Sequence, residues 1–145
     1  MRILLLLFVT FLITSLTNAQ GQVKDGETKS KGIAFNSITI EEAKILSKKT
    51  GKLIFIDCYT DWCGPCKRMA ATSFLDEDVA DLFNEKFINI KVEMEKNPIG
   101  VDLSKRYRVR GYPTLLFIDS EGVLVRQLVG IQTSIALITL ANSIY

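Results

Sequence analysis

The chain of 145 residues contains no histidine. That absence removes the commonest general base, the Ser–His and Cys–His nucleophile pairs, and every histidine-containing metal site. Three prolines and nine glycines are too few for a low-complexity chain, and 48% apolar residues are too many for a disordered one. Net charge is nearly lacking too. The 18 Lys+Arg against 16 Asp+Glu leave +2, too small a surplus to indicate an electrostatic nucleic-acid binder. The length suits one domain rather than two. What remains for catalysis is carboxylate, lysine, tyrosine or cysteine chemistry.

The first nineteen residues read as a secretory signal peptide. Arg2 gives the positive start, Ile3 to Leu16 form an apolar run broken only by Thr10, Thr14 and Ser15, and Ala19 offers a small residue at a cleavage point. The run falls short of the ~20 apolar residues a bilayer span needs, so an uncleaved anchor is the weaker alternative. Export would place the domain in an oxidising compartment, secreted or periplasmic, where a cysteine pair can be a disulfide. Residues 20–37 are read as a polar tether, and the folded domain is expected over 38–145.

Within that domain Thr39-Ile40-Glu41-Glu42 is a capping-box pattern, predicting a helix to about Thr50 that Gly51 stops. Lys52 to Tyr59 is a near-continuous apolar strand of the kind buried on both faces, in which Asp57 is out of place. Helices are expected from about Cys63 to Phe74 and from about Glu77 to Lys86. An alternating strand follows over Phe87 to Met94, broken by Asn97-Pro98, then a helix over Val101 to Tyr107. Strands Thr114 to Ile118 and Val123 to Val129 form a hairpin about the Asp119–Gly122 turn, and a helix capped by Thr133 closes the chain. The order predicts an α/β sandwich with a mixed central sheet, an antiparallel C-terminal hairpin and helices on both faces.

Trp62-Cys63-Gly64-Pro65-Cys66-Lys67 sits just after the buried strand and opens a helix. The free amides at a helix N-terminus, with the helix dipole, favour negative charge, so a thiol there ionises readily and the thiolate is the reactive form. Cys63 is therefore the expected nucleophile, and Cys66, one turn in and less accessible, the resolving thiol. A zinc site would need two more ligands where only one further cysteine exists, and a c-type haem anchor would need histidine at Lys67. A purely structural bridge over so small a loop would stabilise little. Cys58, the odd cysteine, should point away from Asp57 into the core as an inert thiol.

This motif after a strand carrying Asp57, followed by Gly111-Tyr112-Pro113-Thr114 and a hairpin, resembles the thioredoxin family. Asp57, Tyr59, Asp61, Trp62 and Cys63, with Ser73-Phe74 and Asp76, are also similar to the exported thioredoxin-like domain of transmembrane thiol:disulfide interchange proteins. The resemblance implies a three-layer thioredoxin-like fold and an exported thiol–disulfide oxidoreductase, reducing protein disulfides. It implies that Asp57 exchanges the proton of the second cysteine, that Pro113 is the cis-proline beside the disulfide, and that Tyr112 offers its backbone to substrate. Trp62, Gly64, Pro65, Thr114 and Gly130 complete the expected substrate-contacting set. A lysine near the carboxylate is also implied, with Asn89 and Lys91 the two positions near that place.

No metal and no cofactor beyond the redox-active disulfide are expected, and no nucleic acid. The expected partners are protein thiols and disulfides and a membrane-embedded electron donor, with the chain itself a monomer. An oxidant or isomerase of the same fold, a binding or chaperone module without turnover, and a peroxide-reducing enzyme are the competing readings. The reducing direction is what the resemblance implies: the Gly-Pro dipeptide is similar to that of the family's reducing members, whereas its oxidants and isomerases usually carry a histidine between the cysteines, which would stabilise the thiolate and make the disulfide more oxidising.

Overall fold

The computed structural model describes residues 31–144. The expected signal peptide and most of the expected tether lie outside the described residues. The elements are α1 (Ile40–Thr50), β1 (Leu53–Tyr59), α2 (Gly64–Ala71), α3 (Glu77–Lys86), β2 (Phe87–Glu93), α4 (Pro98–Tyr107), β3 (Thr114–Ile118), β4 (Leu124–Val129) and α5 (Ser134–Ser143). The sheet runs β2-β1-β3-β4, with β1 parallel to β2 and antiparallel to β3, and β3 antiparallel to β4. The mixed sheet and its C-terminal hairpin are those the sequence predicts.

Local chemistry sets the helix ends. The Thr39 hydroxyl accepts from the Glu42 amide at 3.2 Å while the Glu42 carboxylate accepts from the Thr39 amide at 2.8 Å, the reciprocal pairing of a capping box. Gly51 takes the left-handed conformation at φ 74° and ends α1. Two boundaries differ from expectation by more than one residue. Pro98, read as a strand breaker, is the first residue of α4, because Asn97 caps the helix through Ile99 N at 3.0 Å and a proline needs no amide partner there. Helix α2 stops at Ala71 rather than Phe74. The Phe74 amide turns back onto Met69 O at 3.0 Å, which inserts the Phe74 ring into the core.

Each face of the sheet has its own core. Helices α1 and α4 cover Ile54, Ile56, Cys58, Ile88, Ile90, Leu116 and Ile118. Helices α2, α3 and α5 cover a face rich in rings. There Phe55 lies 5.0 Å from Phe83 and 5.1 Å from Phe117 between centroids, all three fully buried.

Strand β2 is buried on both sides from Phe87 to Ile90, not alternately as its pattern suggests, and only Lys91 and Glu93 keep to the open side. The cause is a strap, residues 32–37, that crosses its edge from one core to the other. Ile33 and Phe35 join the ring-rich core, and Ile38 packs against the other. The Asn36 amide donates to Asn89 O at 2.8 Å, and the buried Asn89 side chain reaches Ala34 O, Phe83 O and the Asn84 side chain. The packed chain thus begins before residue 38, inside the expected tether. Gly32 marks the entry: at φ +95°, a Cβ there would lie 2.6 Å from Phe74 O.

Candidate active site

The site is assembled at the carboxyl end of β1. Beyond Tyr59 the chain turns through Thr60, Asp61 and Trp62, closed by Cys63 N donating to Thr60 O at 3.1 Å. Cys63 is the N-cap of α2, and its Sγ accepts from the Cys66 amide at 3.1 Å, the place a serine or aspartate oxygen ordinarily takes. Gly64 and Pro65 form the exposed first turn. Cys63 and Cys66 are joined in a disulfide with Cα atoms 5.3 Å apart. Their exposures, 1% and 7%, do not rank the pair as expected: Cys66 is no less accessible than Cys63 in this oxidised state. Cap position, not exposure, distinguishes Cys63.

Because β3 is antiparallel to β1, Thr114 lies opposite Cys58, and the residues before it arrive at the same end as Cys63. The Tyr112–Pro113 peptide bond is cis. Gly130 N donates to Pro113 O at 2.8 Å, tying the exit of β4 to this loop. Trp62 is 68% exposed, with its ring edge-on to Tyr112 at 6.0 Å between centroids. Thr114 departs from the expected substrate-contacting set. It is fully buried on a central strand, and its hydroxyl donates to Gly111 O at 2.7 Å, so its side chain offers a partner nothing.

Asp57 is buried, and it projects from β1 on the face that α2 covers, with Phe55 and Tyr59. Burial pushes its carboxyl up to about 6, against the opposing pull of Lys91. The β1–β2 register pairs Asp57 with Lys91 and sets Phe55 against Asn89. Lys91 Nζ lies 3.6 Å from Asp57 Oδ2, which resolves the choice between Lys91 and Asn89. Asp57 Oδ1 and the Thr60 hydroxyl are buried with no hydrogen-bond partner among the described residues. A carboxyl with one free lone-pair face and a proton affinity near neutrality can accept and return a proton.

On the other face of β1, Cys58 is fully buried and free, and burial pushes its thiol far up, as expected of an inert core cysteine.

Several contacting residues lie beyond what the sequence singles out. Glu95 accepts from Trp62 Nε1 at 2.8 Å, and Lys96 pairs with Asp61 at 2.5 Å, so the loop after β2 holds both residues preceding Cys63. The Lys96 hydrogen bond also holds the exposed Asp61 carboxyl below its ordinary range. These pairs are separated by 33 and 35 residues, and only their opposite polarities could have suggested them. Among the described residues no group of acidic or cysteine side chains is arranged to hold a metal, and no helix is long and apolar enough to cross a membrane.

A disulfide that caps the helix after a central strand, with a buried carboxyl on the same face and a cis-proline loop alongside, defines a thiol–disulfide oxidoreductase site. The comparisons agree with that class. Residues 37–143 match the thioredoxin family's sequence model, and the chain belongs to that family.

A solution structure from Bacteroides thetaiotaomicron, provisionally assigned as a disulphide-isomerase, is 45% identical at TM-score 0.69, covering 79% of this chain and 96% of that one. The oxidised C-terminal domain of Neisseria meningitidis DsbD is 26% identical at TM-score 0.61, over 72% of this chain and 90% of that domain. The thiol:disulfide interchange protein DsbD of Actinobacillus pleuropneumoniae is 32% identical over 81% of this chain, which spans only 21% of that protein. Thioredoxin-T of Drosophila melanogaster is 36% identical over 61% of this chain and 52% of its own length. The chain therefore spans between a fifth and about half of these two curated relatives.

Proposed function

We propose that this chain is an exported reductant of protein disulfides. Cys63 as N-cap of α2, with Asp57 buried on the adjoining face of β1, is the observation that carries the reading. In the reduced protein the Cys63 thiolate attacks one sulfur of a substrate disulfide, forming a mixed disulfide and expelling the other sulfur as a thiolate that takes up a proton. Asp57 then accepts the proton of Cys66. The Cys66 sulfur attacks Cys63 Sγ, and the second substrate sulfur leaves with its electron pair and is protonated. The substrate gains two electrons and two protons, and the Cys63–Cys66 disulfide forms.

Trp62, Gly64, Pro65, Tyr112, Pro113 and Gly130 form the rim against which an extended substrate segment lies, backbone to backbone beside Pro113. Export rests on the apolar leader at residues 3–16, and the reducing direction on Gly64-Pro65 between the cysteines. Similarity to part of DsbD supports a membrane-embedded source of electrons.

The reduction potential of the Cys63–Cys66 pair in defined thiol buffers tests the direction. A value near thioredoxin's, about −270 mV, is expected, and a value near about −120 mV would make the protein a disulfide donor instead. Isomerisation is the second reading, favoured by the relative provisionally assigned that activity. An isomerase would rearrange a scrambled disulfide substrate with Cys63 alone, so the Cys66→Ser variant would keep that activity and lose net reduction.

A further inference from the structure

Lys91 stands between rings from two distant segments, its side chain still 33% exposed. Its Nζ lies 4.8 Å from the centroid of Tyr59 on β1 and 5.1 Å from that of Phe35 on the strap, while standing 3.6 Å from Asp57 Oδ2. A lysine on an edge strand has a long flexible stem and a strongly hydrated head, and its default is to reach into solvent. Here two rings within cation–π range flank the ammonium on the side of Asp57 while the rest of it meets solvent.

The Phe35 ring is itself fixed, 6.0 Å from Phe55 and 5.6 Å from Phe74 between centroids. Its backbone neighbours are anchored as well, Ala34 N to Asn84 Oδ1 and Asn36 N to Asn89 O, each at 2.8 Å.

We propose that Phe35 is a positioning residue for disulfide exchange: with Tyr59 it cages the Lys91 ammonium against Asp57, and so sets how tightly that carboxyl holds the proton exchanged with Cys66. The strap before the domain is thereby part of the redox site. The proposal rests on the reading of Asp57 as proton carrier. The charged and titratable groups around the cage are Asp57 and Tyr59 from β1, Lys91 from β2, and the Cys63–Cys66 pair from α2. Asp61, Glu93 and Lys96 act on Tyr59 from the adjoining loops and the end of β2, Lys67 acts on Asp61, and Cys58 lies on the opposite face of β1. The strap contributes a ring and no charge between residues 32 and 37.

The test is a carbon-13 NMR titration of the Asp57 carboxyl in the oxidised full chain. Phe35→Leu keeps an apolar side chain but removes the ring face, freeing Lys91 toward solvent. It is expected to raise the Asp57 midpoint by about half a pH unit. Phe35→Tyr is expected to restore the native midpoint, and Phe35→Leu in a Lys91→Met background to add no further shift. An unchanged midpoint in Phe35→Leu, or an equal shift with and without Lys91, would reduce Phe35 to a packing residue and overturn the proposal.

Should Phe35→Leu not fold, Phe35→Trp carries the test, since the stronger π face is expected to lower the midpoint and a rise or no change counts against the cage. Asp57→Asn separates the two claims. If it leaves the pH profile of mixed-disulfide resolution unchanged, the proton-carrier reading fails, while the titration still decides whether the cage exists.

Discussion

The two faces of β1 show how one strand can carry two chemistries. Toward α1 and α4 it presents Ile54, Ile56 and Cys58, a wholly apolar row in which even the thiol has no partner to ionise against. Toward α2 it presents Phe55, then Asp57, then the half-buried Tyr59, passing from ring core to buried carboxyl to cation-bearing edge within three alternate positions. Cys58 and Asp57 are adjacent in the chain and both buried, yet burial raises the proton affinity of each to different ends. The thiol leaves the range in which it can react, and the carboxyl enters the range in which it can exchange protons. Buried position alone therefore says little about function. What matters is the ordinary pKa from which burial starts and whether a countercharge stands within reach.

The sharpest way to break this comparison is to interchange which cysteine is missing. Cys63→Ser is expected to lower the rate of disulfide reduction by about a thousand-fold or more, measured with a small aromatic disulfide whose released thiol is coloured. Cys58→Ala should leave that rate within about twofold and cost about 1 kcal/mol in urea unfolding, the cost of a small buried side chain. Equal losses of rate in the two variants would place catalytic chemistry on both faces.

Truncating the ring core separates packing from chemistry. Phe55→Ala removes the ring at the centre of the Phe83 and Phe117 contacts, and is expected to cost about 3–5 kcal/mol in urea unfolding, with exchange chemistry retained below the transition.

Asp57→Asn tests the polar end of the same face through pH. The folded-state pKa of Asp57, about 6, lies above its ordinary 3.8, so the native state binds that proton more tightly than the unfolded chain. Its stabilising contribution is complete below about pH 4 and is lost as pH rises through about 6. The Asn variant lacks this loss. Its stability relative to the native protein should climb across that window and level off near 3 kcal/mol by pH 8, read from urea midpoints at each pH. A gain that is flat with pH would mean that Asp57 is not ionising inside the folded protein.

The smallest expected effect is at the rim. Glu95→Gln keeps an acceptor for Trp62 Nε1 but loses the charge, and should change the exchange rate by less than about threefold, because an exposed hydrogen bond contributes little.

The disulfide motif was legible because its physics is local. A cysteine at a helix start and another one turn on are neighbours in any fold that keeps the helix, and the helix amides do the rest. Asp57 was legible as a charge inside an apolar run. Lys91 was only half legible, since Asn89 stands on the same side of the same strand, and only the register setting Asp57 against Lys91 and Phe55 against Asn89 separates them.

Three features were hidden for one shared reason. The strap reads as tether because Ile33, Ala34 and Phe35 are too short an apolar run to carry a periodicity, and the burial of Ile33 and Phe35 depends on a strand edge some fifty residues away. The hold of Glu95 and Lys96 on the loop before Cys63 joins segments more than thirty residues apart. Thr114, beside Pro113 in sequence, is taken from the rim by the central place of β3 in the sheet.

The sequence by itself determined the elements, the order in which they follow, and a reactive pair at a helix terminus, because capping, periodicity and thiol ionisation act over a few residues. Only the tertiary structure decided which lysine faces Asp57, which ring roofs that lysine and where the packed domain begins. Those are contacts between residues far apart in the chain, and sheet register and edge, not local propensity, bring them together.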